Sequence, residues 1–89
     1  MDKKQLLELR KQAHALKPVV MIGQHGLTQG VHDEIETAIK SHELIKIRVN
    51  ASDNDEFNKM ANEICEKHQA DLIKTIGHIA VVYREKTED

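Results

Sequence analysis

Two short strand-like runs, separated by one helix-length segment, constrain the fold of this chain more than any other feature. Residues 19–22 form a continuous apolar run between Pro18 and Gly23, and residues 44–49 alternate apolar and basic side chains. Two strands joined through one helix pair in parallel across a right-handed crossover. The pattern therefore predicts an α/β fold, with the first strand buried on both faces because its run is apolar throughout.

Three helical segments accompany these strands. Residues 3–17 contain neither Gly nor Pro and are rich in good helix formers until Pro18 ends the run. Thr28 is a suitable N-cap for a second helix, and Asp53 followed by Glu56 resembles the capping box that begins a third. The first helix is amphipathic, since Leu6, Leu9, Ala13 and Leu16 share one arc and Lys3, Lys4, Arg10, Lys11, His14 and Lys17 the next.

The end of the sequence predicts a β-hairpin. Two β-rich runs, residues 72–76 and 79–84, are joined by Gly77 and His78, and a glycine at that place can adopt positive φ. The element order is then αβαβαββ. We expect an α/β fold, a two-layer domain with a four-stranded mixed sheet, and one domain over residues 1–89 because no linker or repeat interrupts the chain.

Composition narrows the setting of the protein. The chain has 89 residues, enough for one core. Its single cysteine, Cys65, has no intrachain partner, and no charged-then-apolar leader precedes the first helix. No apolar run approaches the roughly 18 to 20 residues of a membrane span. We therefore expect a cytoplasmic monomer that has no membrane partner.

Charge is distributed unevenly along the chain. A formal net charge of -2 alone argues against nucleic-acid binding, which depends on Lys and Arg. However, residues 1–17 hold five basic and two acidic side chains, whereas residues 53–71 hold two basic and six acidic ones. Strand alternation also places Lys46 and Arg48 on the face opposite their apolar neighbours. Because Lys17 precedes the first strand, we expect the end of helix one and the turn that follows that strand to lie on one side of the molecule.

That turn, Gly23-Gln24-His25-Gly26, is the clearest candidate for binding chemistry. Two glycines let a backbone approach a ligand closely, and the N–H groups at the start of the following helix favour a phosphate. KH domains clamp a nucleic-acid backbone with the same G-x-x-G spacing. Two glycines can equally serve only to make the turn.

A wider set of residues carries a family resemblance. It comprises residues 16–28 around the turn, residues 42–49, residues 76–79, and the pair Tyr83-Arg84. Together they resemble the YhbY family, stand-alone bacterial proteins of the CRM type, a domain named for chloroplast RNA splicing and ribosome maturation. The resemblance covers nearly the whole chain.

The resemblance implies a fold similar to the C-terminal domain of translation initiation factor three. It also implies RNA binding and association with ribosomal RNA in precursors of the large subunit, as expected of an assembly factor. On this basis, together with the basic arc of helix one, the candidate RNA-binding residues are Arg10, His14, Lys17, Gly23, Gln24, His25, Gly26, Lys46 and Arg48.

Two other readings stay open. One is a ribosome-associated protein-interaction module that uses the acidic residues 53–71 and touches RNA little. The other is an enzyme acting on a phosphorylated small molecule at the turn, where only His25 and His32 lie within reach as a base. The six histidines form no H-x-x-x-H pair and Cys65 has no partner at ligand spacing, so we expect no metal. No triad-like arrangement of Ser, His and Asp is legible around Cys65, so we expect no catalytic residue, and we expect no cofactor or small-molecule substrate.

Overall fold

The computed structural model describes residues 1–86, and its elements follow the predicted order. Helix α1 is capped by Asp2, α2 by Thr28 and α3 by Asp53, each through a side-chain oxygen that accepts a backbone N–H in the first turn. The elements are α1 Lys3–Ala13, β1 Pro18–Ile22, α2 Gln29–His42, β2 Leu44–Val49, α3 Asn54–His68, β3 Asp71–Ile76 and β4 Ile79–Tyr83.

The four strands form one mixed sheet in the order β1-β2-β4-β3. Strands β1 and β2 are parallel, and β4 pairs antiparallel with both β2 and β3. Gly77, in the turn of the β3-β4 hairpin, has a φ of 56°. The predicted α/β fold with a four-stranded mixed sheet and three helices is confirmed.

Strand alternation gives the sheet two different faces. The first face presents Ile45, Ile47 and Val49 to helices α2 and α3, and this side holds the larger core. The second face presents Leu44, Lys46 and Arg48. Helix α1 covers one end of it in a smaller core, so a partial third layer is added to the two layers expected. The smaller core comprises Leu9, Ala13, Leu44, Ile73 and Val81, with Leu6, Leu16, Ile79 and Tyr83 against it.

Two sequence predictions are corrected. Helix α1 ends at Ala13 and does not continue to residue 17. The N–H groups of His14, Ala15 and Leu16 each bond three residues back, which tightens the chain into a turn, and Lys17 before Pro18 favours extended backbone. Strand β1 is buried on one face only, since Val19 and Met21 are 52% and 67% exposed. The reason is its position as an edge strand whose second-face side chains lie beyond the reach of α1.

A polar cluster joins α2, α3 and the residue after β4. The Arg84 guanidinium donates to both Glu36 carboxylate oxygens, at 3.0 and 2.7 Å, and His68 Nδ1 lies 3.0 Å from the same carboxylate. These bonds, first from Arg84 and then from His68, lower the pKa of Glu36 to about 2. His32 Nδ1 lies 3.0 Å from His68 Nε2, and burial lowers the pKa of His32. The cluster fixes the helix layer to the sheet.

Within residues 1–86, no helix is long and apolar enough to cross a membrane. In the same part of the chain, no three His, Cys, Asp or Glu side chains are placed to hold a metal ion together.

Candidate nucleic-acid interface

The loop between β1 and α2 is a tight turn. The N–H of Gly26 donates to the carbonyl of Gly23 at 3.1 Å, and the Gly26 carbonyl accepts from Thr28 at 3.1 Å. Gly26 has a φ of 73°, a conformation that a residue with a Cβ rarely adopts. The side chains of Gln24 and His25 are exposed at its tip. Gly26 therefore has a structural reason to be glycine.

Gly23 differs from Gly26 in this respect. Its φ is not positive, and a Cβ built on it would meet nothing within 4 Å. Neither backbone conformation nor packing in the described chain thus requires glycine at this position. Gly23 has open space in front of its backbone, which is what close approach of a ligand needs.

The N–H groups of the loop are only partly available. The turn uses the Gly26 N–H, and the Thr28 hydroxyl oxygen accepts the Val31 N–H at 3.2 Å. Among residues 1–86, the N–H groups of Gln24 and His25 have no acceptor. In the same part of the chain, the Gln29 and Gly30 N–H groups at the positive end of α2 have no acceptor either, so a phosphate bound here would meet these groups and not the Gly26 N–H.

An open depression of about 560 Å³ lies beside Gly23 on the sheet. Met21, Arg48 and His78 line it together with Asn50. Parallel pairing places the ends of β1 and β2 side by side, and the Val49 N–H donates to the His78 carbonyl at 2.7 Å, which brings in the hairpin turn. Gly23 of the loop and Arg48 therefore line one depression at the carboxyl ends of β1 and β2.

Further basic side chains follow from the sheet register. Lys46 and Lys74 are both paired with Val81, one from each side, so the two lysines lie about 10 Å apart across the second face. Arg48 is two residues from Lys46 on the same face. Lys74 was not predicted as a site residue, because the sequence did not fix the pairing of β3 with β4.

Comparison with known proteins places the chain in a family. The CRS1 / YhbY (CRM) domain model matches residues 1–84. The chain belongs to the CRM domain family.

Relatives and a solved structure agree with this assignment. A Haemophilus influenzae protein named "RNA-binding protein" is 46% identical, covering 96% of this chain and 86% of that protein. A Pseudomonas aeruginosa protein named "Probable RNA-binding protein" is 35% identical, covering 96% of this chain and 82% of that protein. The solution structure of the Staphylococcus aureus protein SAV1595 has a TM-score of 0.85 at 30% identity, and the match covers 100% of this chain and 93% of that one.

The remaining predicted residues of this CRM domain do not gather at the loop. Lys17 precedes β1 and the loop follows it, so the five residues of β1 separate Lys17 from Gly23 by about 20 Å. The expectation that the end of helix one and the loop lie on one side of the molecule stays a prediction, since α1 packs on the second face at the other end of β1. Arg10 Nε donates to the Ile73 carbonyl at 3.3 Å, which places Arg10 over β3 next to Lys74. His14 is exposed at the end of α1.

The acidic side chains of helix α3 lie on the other side of the sheet. Helix α3 packs on the first face through Phe57, Ala61 and Ile64. Its exposed acidic residues, including Glu63 and Glu66, therefore project away from the second face. The net charge of -2 therefore combines basic side chains on the second face with acidic side chains on α3.

Proposed function

We propose that this CRM domain binds RNA in precursors of the large ribosomal subunit and acts as a cytoplasmic, non-catalytic assembly factor. We also propose that residues 1–89 form one domain and work as a monomer. The names of the relatives support the choice of RNA as partner. The ribosomal assignment rests on the resemblance of the sequence to its family and is tested separately below.

The observation that carries the proposal is the meeting of Gly23, Arg48 and His78 around one open depression. The Gln24 and His25 N–H groups hold one phosphate in the proposed complex, while Arg48 contacts the next, and Lys46 and Lys74 extend the cationic surface. Contacts of this kind orient RNA without reading its sequence. Arg10 contributes from above β3, whereas His14 and Lys17 lie apart and add only general attraction.

Two side chains that could take part in catalysis, His32 and Cys65, lie in environments that disfavour it. His32 is bonded to His68 in the polar cluster behind the sheet. Burial, with a smaller effect of Asp71, raises the pKa of the Cys65 thiol, which disfavours the reactive thiolate. These observations support binding over catalysis.

The proposed cationic surface is tested by a charge-matched pair of variants. Lys46→Ala with Arg48→Ala should weaken binding to a ribosomal RNA fragment and reduce the log-log salt slope by about 1.5, since each lost phosphate contact removes roughly 0.7 to 0.9. The control, Lys59→Ala with Lys67→Ala, removes the same charge from the acidic helix α3 and should change both quantities little. Equal effects in the two variants would mean that net charge alone drives binding, and no RNA binding by the unmodified protein would end the proposal.

The ribosomal part needs its own measurement. In gradients of cell extract, the protein should travel with large-subunit particles or their precursors at low salt and be released at high salt. Its appearance only at the top of the gradient at every salt concentration would contradict the ribosomal assignment while leaving RNA binding itself untouched. If the protein stays on the particle at high salt and the purified protein does not bind RNA, the alternative of a protein-interaction module that uses α3 is favoured.

A further inference from the structure

One row of side chains crosses the uncovered part of the second face from edge to edge. Met21 is paired with Arg48, Arg48 with Ile79, and Ile79 with Ile76. Directly paired residues project on the same side of a sheet, so all four side chains share this face. We call these four residues the apolar row, because Arg48 is its only polar member.

The apolar row is unusual in its exposure. Met21 is 67% exposed and Ile76 is 43% exposed, although both belong to sheet strands. Helix α1 covers the neighbouring part of the face but leaves these two residues open. The row is about 14 Å long, three strand spacings, and places exposed apolar side chains at both edges.

Basic groups border the apolar row on the side towards α1. The adjacent row of the sheet carries Lys46 and Lys74 on either side of Val81, and Arg48 lies within the apolar row itself. The depression beside Gly23 opens at its Met21 end. Exposed apolar side chains and basic side chains therefore lie next to one another on this face.

We propose that the apolar row is a platform for unpaired RNA bases, with the phosphates of the same strand lying against Arg48, Lys46 and Lys74. This inference rests on the proposed RNA-binding function and specifies its substrate class as single-stranded segments. Bases have apolar faces that Met and Ile side chains can cover, and their phosphates meet the cations beside them. The charge of the surrounding groups selects a polyanion over a peptide.

A duplex does not fit this surface equally well. In an A-form helix the base faces are stacked inside, and the surface consists of phosphates and 2′-hydroxyls. Met21 and Ile76 would then meet polar groups and lose the benefit of burial. A surface that used charge alone would instead favour the duplex, whose charge density is higher. A comparison of the affinities for the unpaired and the duplex form of one RNA therefore distinguishes binding through base contacts from binding through charge alone.

The test uses one labelled RNA of about 12 nucleotides, within the site sizes of single-strand binding surfaces, alone and annealed to its complement. Fluorescence anisotropy at one salt concentration gives both affinities. The unmodified protein should bind the unpaired strand roughly tenfold more tightly than the duplex, because only unpaired bases would bury Met21 and Ile76. Met21→Ala and Ile76→Ala should each weaken the unpaired strand by roughly fivefold and the duplex hardly at all, because only bases touch these side chains.

Leu7→Ala is the matched control, since Leu7 is an exposed aliphatic side chain on α1 outside the apolar row and is 52% exposed. It should leave both affinities unchanged, and thermal unfolding should show all three variants folded. Equal or tighter binding of the duplex would overturn the inference while leaving RNA binding intact. Unpaired RNA bound equally by the Met21 and Ile76 variants would overturn the platform, and no binding of either RNA would end the proposed function as well.

Discussion

Substituting the two loop glycines one at a time distinguishes the structural role of the loop, as a turn, from its proposed role as a phosphate site. Gly26 has a φ of 73°, so Gly26→Ala forces a Cβ into left-handed backbone. Gly23 has no positive φ, and a Cβ at either glycine would meet nothing within 4 Å. The two substitutions therefore differ in backbone strain and not in packing.

The expected free energies follow from this difference. Gly26→Ala should lower the free energy of unfolding by about 1–2 kcal/mol, the strain of a non-glycine residue in left-handed backbone. Gly23→Ala should leave it unchanged or raise it by about 0.4–1 kcal/mol, because alanine restricts the unfolded chain. For RNA we expect the reverse order, because in the proposed complex the Cβ introduced by Gly23→Ala stands in the path of the phosphate. Losing one charge-assisted hydrogen bond of about 1.5 kcal/mol weakens binding roughly tenfold.

The assay combines urea denaturation with RNA binding followed by fluorescence anisotropy. Gly23→Ala should be as stable as the unmodified protein and bind RNA roughly tenfold more weakly. Gln24→Ala is the control for side-chain contacts and should change affinity little, because the proposed contact uses backbone N–H groups. If folded Gly23→Ala binds RNA with unchanged affinity, the loop is only a turn and the phosphate site has to be abandoned in favour of the basic side chains alone.

Two predictions concern stability. The pKa of Glu36 is about 2 in the fold, below its ordinary 4.5, so this group stabilises the protein above pH 4.5 and the contribution is lost as the pH falls towards 2. In an acid titration, the free energy of unfolding of Glu36→Gln should fall by about 1–2 kcal/mol less over that range than that of the unmodified protein. This value is reduced for screening because the Glu36 side chain is 40% exposed. Gln69 ends α3 with a φ of 53°, so Gln69→Gly should raise the free energy of unfolding by about 0.5–1 kcal/mol in urea denaturation, and a decrease would contradict the assigned backbone strain.

The element order was predictable because each element carries a local signal. Thr28 and Asp53 cap helices where the sequence suggested, and the alternation of β2 correctly separated Lys46 and Arg48 from the core. The burial of β1 was not predictable in the same way. Its apolar run is compatible with a central strand, and only the sheet order shows that β1 lies at an edge.

The composition of the candidate site depended on long-range register. His78 and Asn50 join Gly23 because the end of β2 bonds both to the hairpin turn and to Ile22, pairings that no local pattern encodes. Lys74 reaches the basic surface through a β-bulge between Leu72 and Lys74, which strict alternation does not anticipate. Conversely, Lys17 is close to the loop in sequence but separated from it by the length of β1. Sequence proximity alone therefore does not place a lysine beside the loop.

The most direct test of RNA binding by the second face is an amide chemical-shift titration of isotope-labelled protein with unpaired RNA. The amides of Gly23, Gln24 and His25 should shift together with those of Arg48 and His78, whereas the amides on the outer surface of α3 should stay in place. A titration that moves α3 and leaves the loop and β2 unchanged would contradict the account.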